Sequence, residues 1–148
     1  MRRDVARLTM ENLTLVKNAI HRSDEPRHFM TFKYPGHDIA AIYKGIEIAR
    51  SGNALRLHEV GRDIYDPVVY FPKEDIHMEW LSKTAKTTHC PLKGDTQYFD
   101  VKLDRYSVRD AAWCYDKPIE SADALKDYIA FDSSVVRIVE FSDTVSDS

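Results

Sequence analysis

A chain of 148 residues with 43% hydrophobic and 30% charged side chains is long enough to bury one core, and one domain is the expectation. A formal net charge of −3 argues against recruitment by nucleic acid or by a membrane surface, and no stretch approaches the ~18 consecutive apolar residues of a membrane helix. Two cysteines, Cys90 and Cys114, occur without a C-x-x-C spacing, and no secretory-type apolar run follows Arg2-Arg3, which together point to a reducing cytoplasm.

Residues 1–36 differ in charge from the rest. They carry seven Lys/Arg against four acids, a local +3, so that the remainder holds −6. Within them Met10, Leu13, Val16 and Ile20 recur at three- to four-residue steps after Thr9, a residue suited to cap a first turn. The spacing predicts a short amphipathic helix from Thr9 to about Ser23, ended by Ser23-Asp24-Glu25-Pro26 because proline restricts the residue before it. On this reading 1–36 is a helical extension. Its few aromatics, Phe29, Phe32 and Tyr34, are poorly interleaved with its basic residues for stacking on bases.

From His37 the period shortens to two. Asp38 to Tyr43 and Ile46 to Arg50 flank Lys44-Gly45 as a tight hairpin, and Ala54 to Val60 follows the turn Ser51-Gly52-Asn53. Val68 to Phe71 runs into Pro72, where Lys73-Glu74-Asp75 suits a short helical turn opened by proline. Gln97, Phe99, Val101 and Leu103 alternate with Thr96, Tyr98, Asp100 and Lys102, giving one strand two unlike faces. Asp104-Arg105 turns the chain back into Tyr106 to Tyr115, Ser121 to Tyr128 spaces Ala124, Leu125 and Tyr128 as a short helix, and Val135 to Phe141 closes the domain. The polar end 142–148 lacks apolar mass to offset ordering entropy and is expected to be flexible.

Several of these segments, in order, carry a family resemblance: Val69-Tyr70-Phe71-Pro72, Glu74-Asp75, Leu81, Thr88-His89-Cys90-Pro91, Lys93-Gly94, Tyr98, Ala112-Trp113, Tyr115, Pro118 and Ile129-Ala130-Phe131. Over roughly residues 37–140 the chain resembles the domain of unknown function 427 family, which also bears a nucleotidyltransferase-like label. The resemblance implies a β-tent fold, and hence a mainly β, single antiparallel domain over 37–141. To this the residues add a short N-terminal helix and one short helix near the C-terminus. It implies no reaction. The residues do not support the label: metal-dependent nucleotidyl transfer needs clustered carboxylates, and neither a Gly-Ser entry nor an Asp-x-Asp strand is present. A phosphate-cradling loop fails too, since no G-x-x-x-x-G precedes Lys93.

The chemistry concentrates in Thr87-Thr88-His89-Cys90-Pro91-Leu92-Lys93-Gly94, read as a loop shaped by Pro91 and Gly94. Cys90 is the candidate nucleophile of a thiol-dependent enzyme or, alternatively, a ligand contact or an inert filler, and His89 beside it points to the opposite face of an extended chain. Lys93 with the Thr88 hydroxyl offers a cation and donors to an anion, or else pairs with Glu59 or Asp95. Tyr98, Trp113 and Tyr115 suit an aromatic wall or ordinary core. No metal set is evident, because His58, His77 and His89 are scattered and only two cysteines exist; no cofactor is expected. The leading expectation is a small anionic or planar ligand in a cleft of Glu59, Thr88, Cys90, Lys93, Tyr98, Trp113 and Tyr115. The alternatives are Cys90 chemistry and a protein-interaction module that docks a partner or a second copy through residues 10–20.

Overall fold

Alternation of two residues per repeat governs the tertiary structure from Ile20 onward. The computed structural model describes residues 15–142. Eleven strands form: β1 (Ile20–Arg22), β2 (Glu25–Lys33), β3 (Ile39–Tyr43), β4 (Ile46–Ser51), β5 (Leu55–Val60), β6 (Val68–Pro72), β7 (Leu81–Cys90), β8 (Gly94–Lys102), β9 (Ser107–Cys114), β10 (Tyr128–Phe131) and β11 (Arg137–Glu140). Eight make one antiparallel sheet in the order β1-β2-β5-β6-β10-β9-β8-β7, and a second sheet has the order β11-β3-β4.

The two faces of the large sheet bury different sets of side chains. Phe71, Phe99, Val101, Ala112, Cys114, Ile129 and Phe131 face the small sheet, where Ile39, Ala41, Tyr43 and Ile48 complete the core. The residues between them in sequence point the other way. Tyr70, Trp113 and Ala130 join Met30, Leu55, Leu57, Leu92 and Tyr115 in a second cluster, covered by Ala122 and Leu125. Neighbouring residues of one strand thus serve two cores, as a pleated sheet buried on both sides requires.

The Lys44-Gly45 hairpin forms as predicted, with φ of 52° and 78° at its two central residues, the left-handed pair that a two-residue turn between twisted strands demands. Pro72 leads into a 3-10 turn over Lys73–Asp75, as expected. Other expectations are corrected. Of the helix drawn from Thr9 to Ser23, residues 9–14 lie outside the described residues, 15–19 hold a turn, and Ile20–Arg22 is strand. Residues 25–33, placed in a helical extension, form an inner strand that pairs with β1 and β5, with Met30 fully buried. The run His28-Phe29-Met30-Thr31-Phe32, aromatic and β-branched, favours the pleat, and Pro26 sits near the strand's start where a missing N–H is tolerated.

The C-terminal helix is instead a 3-10 segment, Glu120–Leu125, that buries Ala122 and Leu125. Asp127 at φ 66° then turns the chain so that Tyr128 opens β10. Among the described residues the helical structure consists of 3-10 turns only. The stretch 87–94 is not a loop: Leu81–Cys90 is the edge strand, and Pro91 to Lys93 is the turn into β8. Of the tail expected to be flexible, 143–148 lies outside the described residues.

The large sheet is strongly curled. β5 and β8 are separated by three strands, about 19 Å on a flat sheet at ~4.8 Å per step. Yet Glu59 of β5 bonds directly to Lys93 of the β7–β8 turn. Register breaks accompany the curl in β7–β8 between Lys83 and Thr87, and in β8–β9 between Phe99 and Val101. At that level Asp110 adopts φ 51°, its N–H donates to Asp100, and its carboxylate accepts from Thr84, so the bulge is fixed by a polar network.

Candidate functional site

The concave side of this curl holds a pocket of about 220 Å³ whose lining includes all seven residues singled out from sequence: Glu59, Thr88, Cys90, Lys93, Tyr98, Trp113 and Tyr115. Strand phase explains the convergence. Leu57 and Glu59 alternate onto one face of β5, Thr88 and Cys90 onto one face of β7, and Thr96 and Tyr98 onto one face of β8. Tyr98 and Trp113 stand directly opposite in the β8–β9 ladder, with ring centroids 6.5 Å apart. Tyr98 also meets Thr88 at 3.1 Å between hydroxyls and carries the Lys86 ammonium 4.4 Å from its ring centre.

Lys93 is delivered by a tightly determined turn. Its N–H donates to the Cys90 carbonyl, and its own carbonyl accepts from the Ile119 N–H at 2.9 Å, which ties the turn to the segment after β9. Leu92 beside it is buried in the second core. Gly94 has φ +112°, and a Cβ there would stand 3.3 Å from both the Ile119 nitrogen and the Lys117 carbonyl. Glycine is therefore required twice at this position, for conformation and for space.

The Lys93 side chain is 9% exposed, a burial that would cost several kcal/mol for an unpaired ammonium. Glu59 compensates it at 2.5 Å, and the second oxygen of the same carboxylate accepts from His28 Nε2 at 2.7 Å. Of the two partners left open for Lys93, the structure selects Glu59; Asp95 pairs with His89 instead. Burial pushes the Glu59 carboxyl up, but the bonds from His28 and Lys93 outweigh it and hold the group below its ordinary range. For Lys93 burial works against the charge, and nearby Tyr115 and Glu59 reverse the balance, so its value is raised. The Tyr115 ring lies 5.8 Å from the ammonium.

The back of the pocket is aromatic. The Trp113 indole N–H donates to the Tyr70 hydroxyl at 3.3 Å. Tyr70 is fully buried, and that burial raises its phenol well above the ordinary value. Burial likewise raises Tyr115, against the pull of Lys93 and a bond to Thr96.

Cys90 is half-buried on the lining, with no hydrogen-bonded base among the described residues; His89 turns away to Asp95 at 2.8 Å. Cys114 faces the other core, where burial and a bond to Asp116 push its thiol up to about 12. His77 stacks on Trp80, which packs against the first core and not the pocket, and among the described residues no group of three or more His, Cys, Asp or Glu is arranged to hold a metal ion.

Sequence reasoning missed Leu57, Tyr65, Asp66, Val68, Tyr70 and Thr96 on the lining, and His28 behind Glu59. Thr96 and Leu57 were accessible, being in phase with Tyr98 and Glu59. His28 was not, because its segment lay outside the domain as drawn.

The pattern of a known family matches residues 33–142, nearly three quarters of the chain, and its description is a domain of unknown function, DUF427. No curated protein matches the chain. With strands β3 to β11 all inside that match, the chain belongs to the DUF427 family.

Proposed function

We propose that this domain, on a β-tent-like scaffold, binds a small planar ligand with hydrogen-bonding edges in the pocket between β5 and the β7–β8 turn. The observation that carries the reading is the meeting of two unlike walls around one space of about 220 Å³: a charged corner of Glu59 and Lys93, with His28 bonded to Glu59 from behind, and an aromatic wall of Tyr98, Trp113 and Tyr115. Such a volume equals that of about seven waters at ~30 Å³ each, room for a ring system of roughly seven to ten heavy atoms. Apolar walls with few convergent polar groups are the usual make-up of small-molecule sites. The planar half of the ligand expectation is favoured here over a bare anion, because Lys93 already spends its charge on Glu59.

The test is a thermal-shift panel of purines, pyrimidines and pyridine carboxamides. A binder at 100 times its Kd stabilises by about 2.7 kcal/mol, several degrees of Tm for a domain of this size. Trp113→Ala and Tyr98→Ala should each abolish the rise. A rise that persists in both variants, or no rise with any ring compound, rejects the assignment.

A further inference from the structure

A second cavity, of about 660 Å³, adjoins the first and is lined by Arg22, Asp24, Glu25, Arg27, His28, Gly61, Arg62 and Tyr65. Two features tie the two together. Tyr65 lines both. His28 lines the larger while bonding Glu59 of the smaller. Both rings close over Gly61, where a Cβ would stand 3.1 Å from the Tyr65 ring and 3.4 Å from the His28 imidazole, so a side chain there would push the Tyr65 ring outward by a few tenths of an ångström. The loop that presents Tyr65 and Arg62 is pinned by Tyr65 N–H to the Glu59 carbonyl and by Gly61 N–H to the Asp63 carbonyl.

The larger cavity is cationic. Arg22 grips Asp24 with two bonds, and Arg27 grips Glu25 with two. Each pairing fixes a guanidinium in place and leaves one of its terminal nitrogens outside the fork. Arg62 has no carboxylate partner among the described residues and stands exposed at the rim. Three guanidiniums against two carboxylates leave a net positive charge beside His28.

We infer that the two cavities are one composite site, whose ligand is a planar heterocycle joined by a short linker to a phosphate-type anionic group. The ring occupies the aromatic pocket, and the anion sits among Arg22, Arg27 and Arg62. This rests on the ring-binding reading above and adds the class of ligand. Because two acids dilute the cationic field, the anion's contribution is modest and falls with salt.

The experiment is isothermal titration of adenine, adenosine 5′-monophosphate, uridine 5′-monophosphate and inorganic phosphate against the full chain, its Arg62→Ala and Arg27→Ala variants, and Trp113→Ala. Both arginines are exposed, so their replacement leaves the core intact. The expected result is that at least one monophosphate binds about tenfold more tightly than adenine and than phosphate alone, that Arg62→Ala and Arg27→Ala each remove most of this gain, and that ring binding is unchanged in both. Raising the salt should weaken the monophosphate and not the free base. Ring binding that is lost in Trp113→Ala but gains nothing from a phosphate overturns the composite site and leaves the ring pocket standing. Phosphate binding with no gain from a ring overturns it as well, as does an absence of binding by all four probes.

Discussion

Lys93 and Glu59, 34 positions apart, meet at 2.5 Å across the curled sheet. The pair joins the turn after the edge strand β7 to a strand near the opposite edge, so it works as a chord across the arc. Removing one partner leaves a mostly buried charge without compensation. Lys93→Ala or Glu59→Ala should destabilise by about 3 kcal/mol in urea melts, whereas Lys93→Met combined with Glu59→Leu should cost less than either single change. Additive losses in the double variant would show that the contact is incidental.

The same pair sets a pH dependence. Glu59 has a folded value below its ordinary 4.5, so the folded state holds the proton less tightly than the unfolded chain does. Its contribution to stability is complete above about pH 4.5 and is lost as the pH falls through the folded value. Lys93 is shifted above 10.5, so its contribution is complete below that value and fades as the pH rises through the folded one. Between these limits the pair contributes a plateau. Glu140, also lowered, by His37 against an opposing effect of burial, adds to the acid limb, so the informative quantity is a difference. The gap in Tm between the wild type and Glu59→Gln should be constant near neutrality and shrink below pH 4.5; a gap that does not change with acid removes the ion pair from the account.

The two thiols should separate by accessibility. Cys114 is buried, its thiol pushed to about 12 by burial and by Asp116, while Cys90 is half-buried on a pocket wall. Iodoacetamide at pH 8 should therefore add one label to the folded chain, at Cys90, and a second only in denaturant, as read by intact mass. Any ring compound found to bind should slow the first label. Two labels at equal rates in the folded protein would contradict the burial of Cys114.

How much of this was legible beforehand differs from strand to strand. Lys44-Gly45 announced its hairpin because the turn needs two left-handed residues and the sequence offers Gly between alternating strands. Tyr98 and Trp113 could be paired from the hairpin they share, and the site residues on β5, β7 and β8 follow from parity once those strands are known. Strand β7 was harder. Apart from Ala85, its residues Lys83 to His89 are polar on both faces because an edge strand meets solvent widely, so no alternation marks it, and its lysines guard the unpaired edge. Glu120–Leu125 shows the converse: Ala122 and Leu125 lie three apart, a spacing that suits a 3-10 turn as well as an α-helix. The Lys93–Glu59 contact depends on curvature summed over five strands, which no local pattern encodes.

Gly94 offers the sharpest separation of site from scaffold. At φ +112° it occupies backbone space that side chains rarely enter, and the Lys117 carbonyl and Ile119 nitrogen, both main chain, stand where a Cβ would go. Gly94→Ala must therefore rotate the turn or push the 117–119 segment away, at a cost of about 1–3 kcal/mol. Either movement breaks the Ile119 N–H bond to the Lys93 carbonyl and withdraws the ammonium from Glu59. Gly45, also at positive φ, has no atom within 4 Å of its missing Cβ. Gly45→Ala should thus cost conformational strain alone and leave the pocket untouched. The measurement is a pair of urea melts together with the titration of a ring ligand: both variants lose stability, but only Gly94→Ala loses ligand affinity beyond what its unfolded fraction explains. Equal affinities in the two would mean that the turn carrying Lys93 does not shape the site.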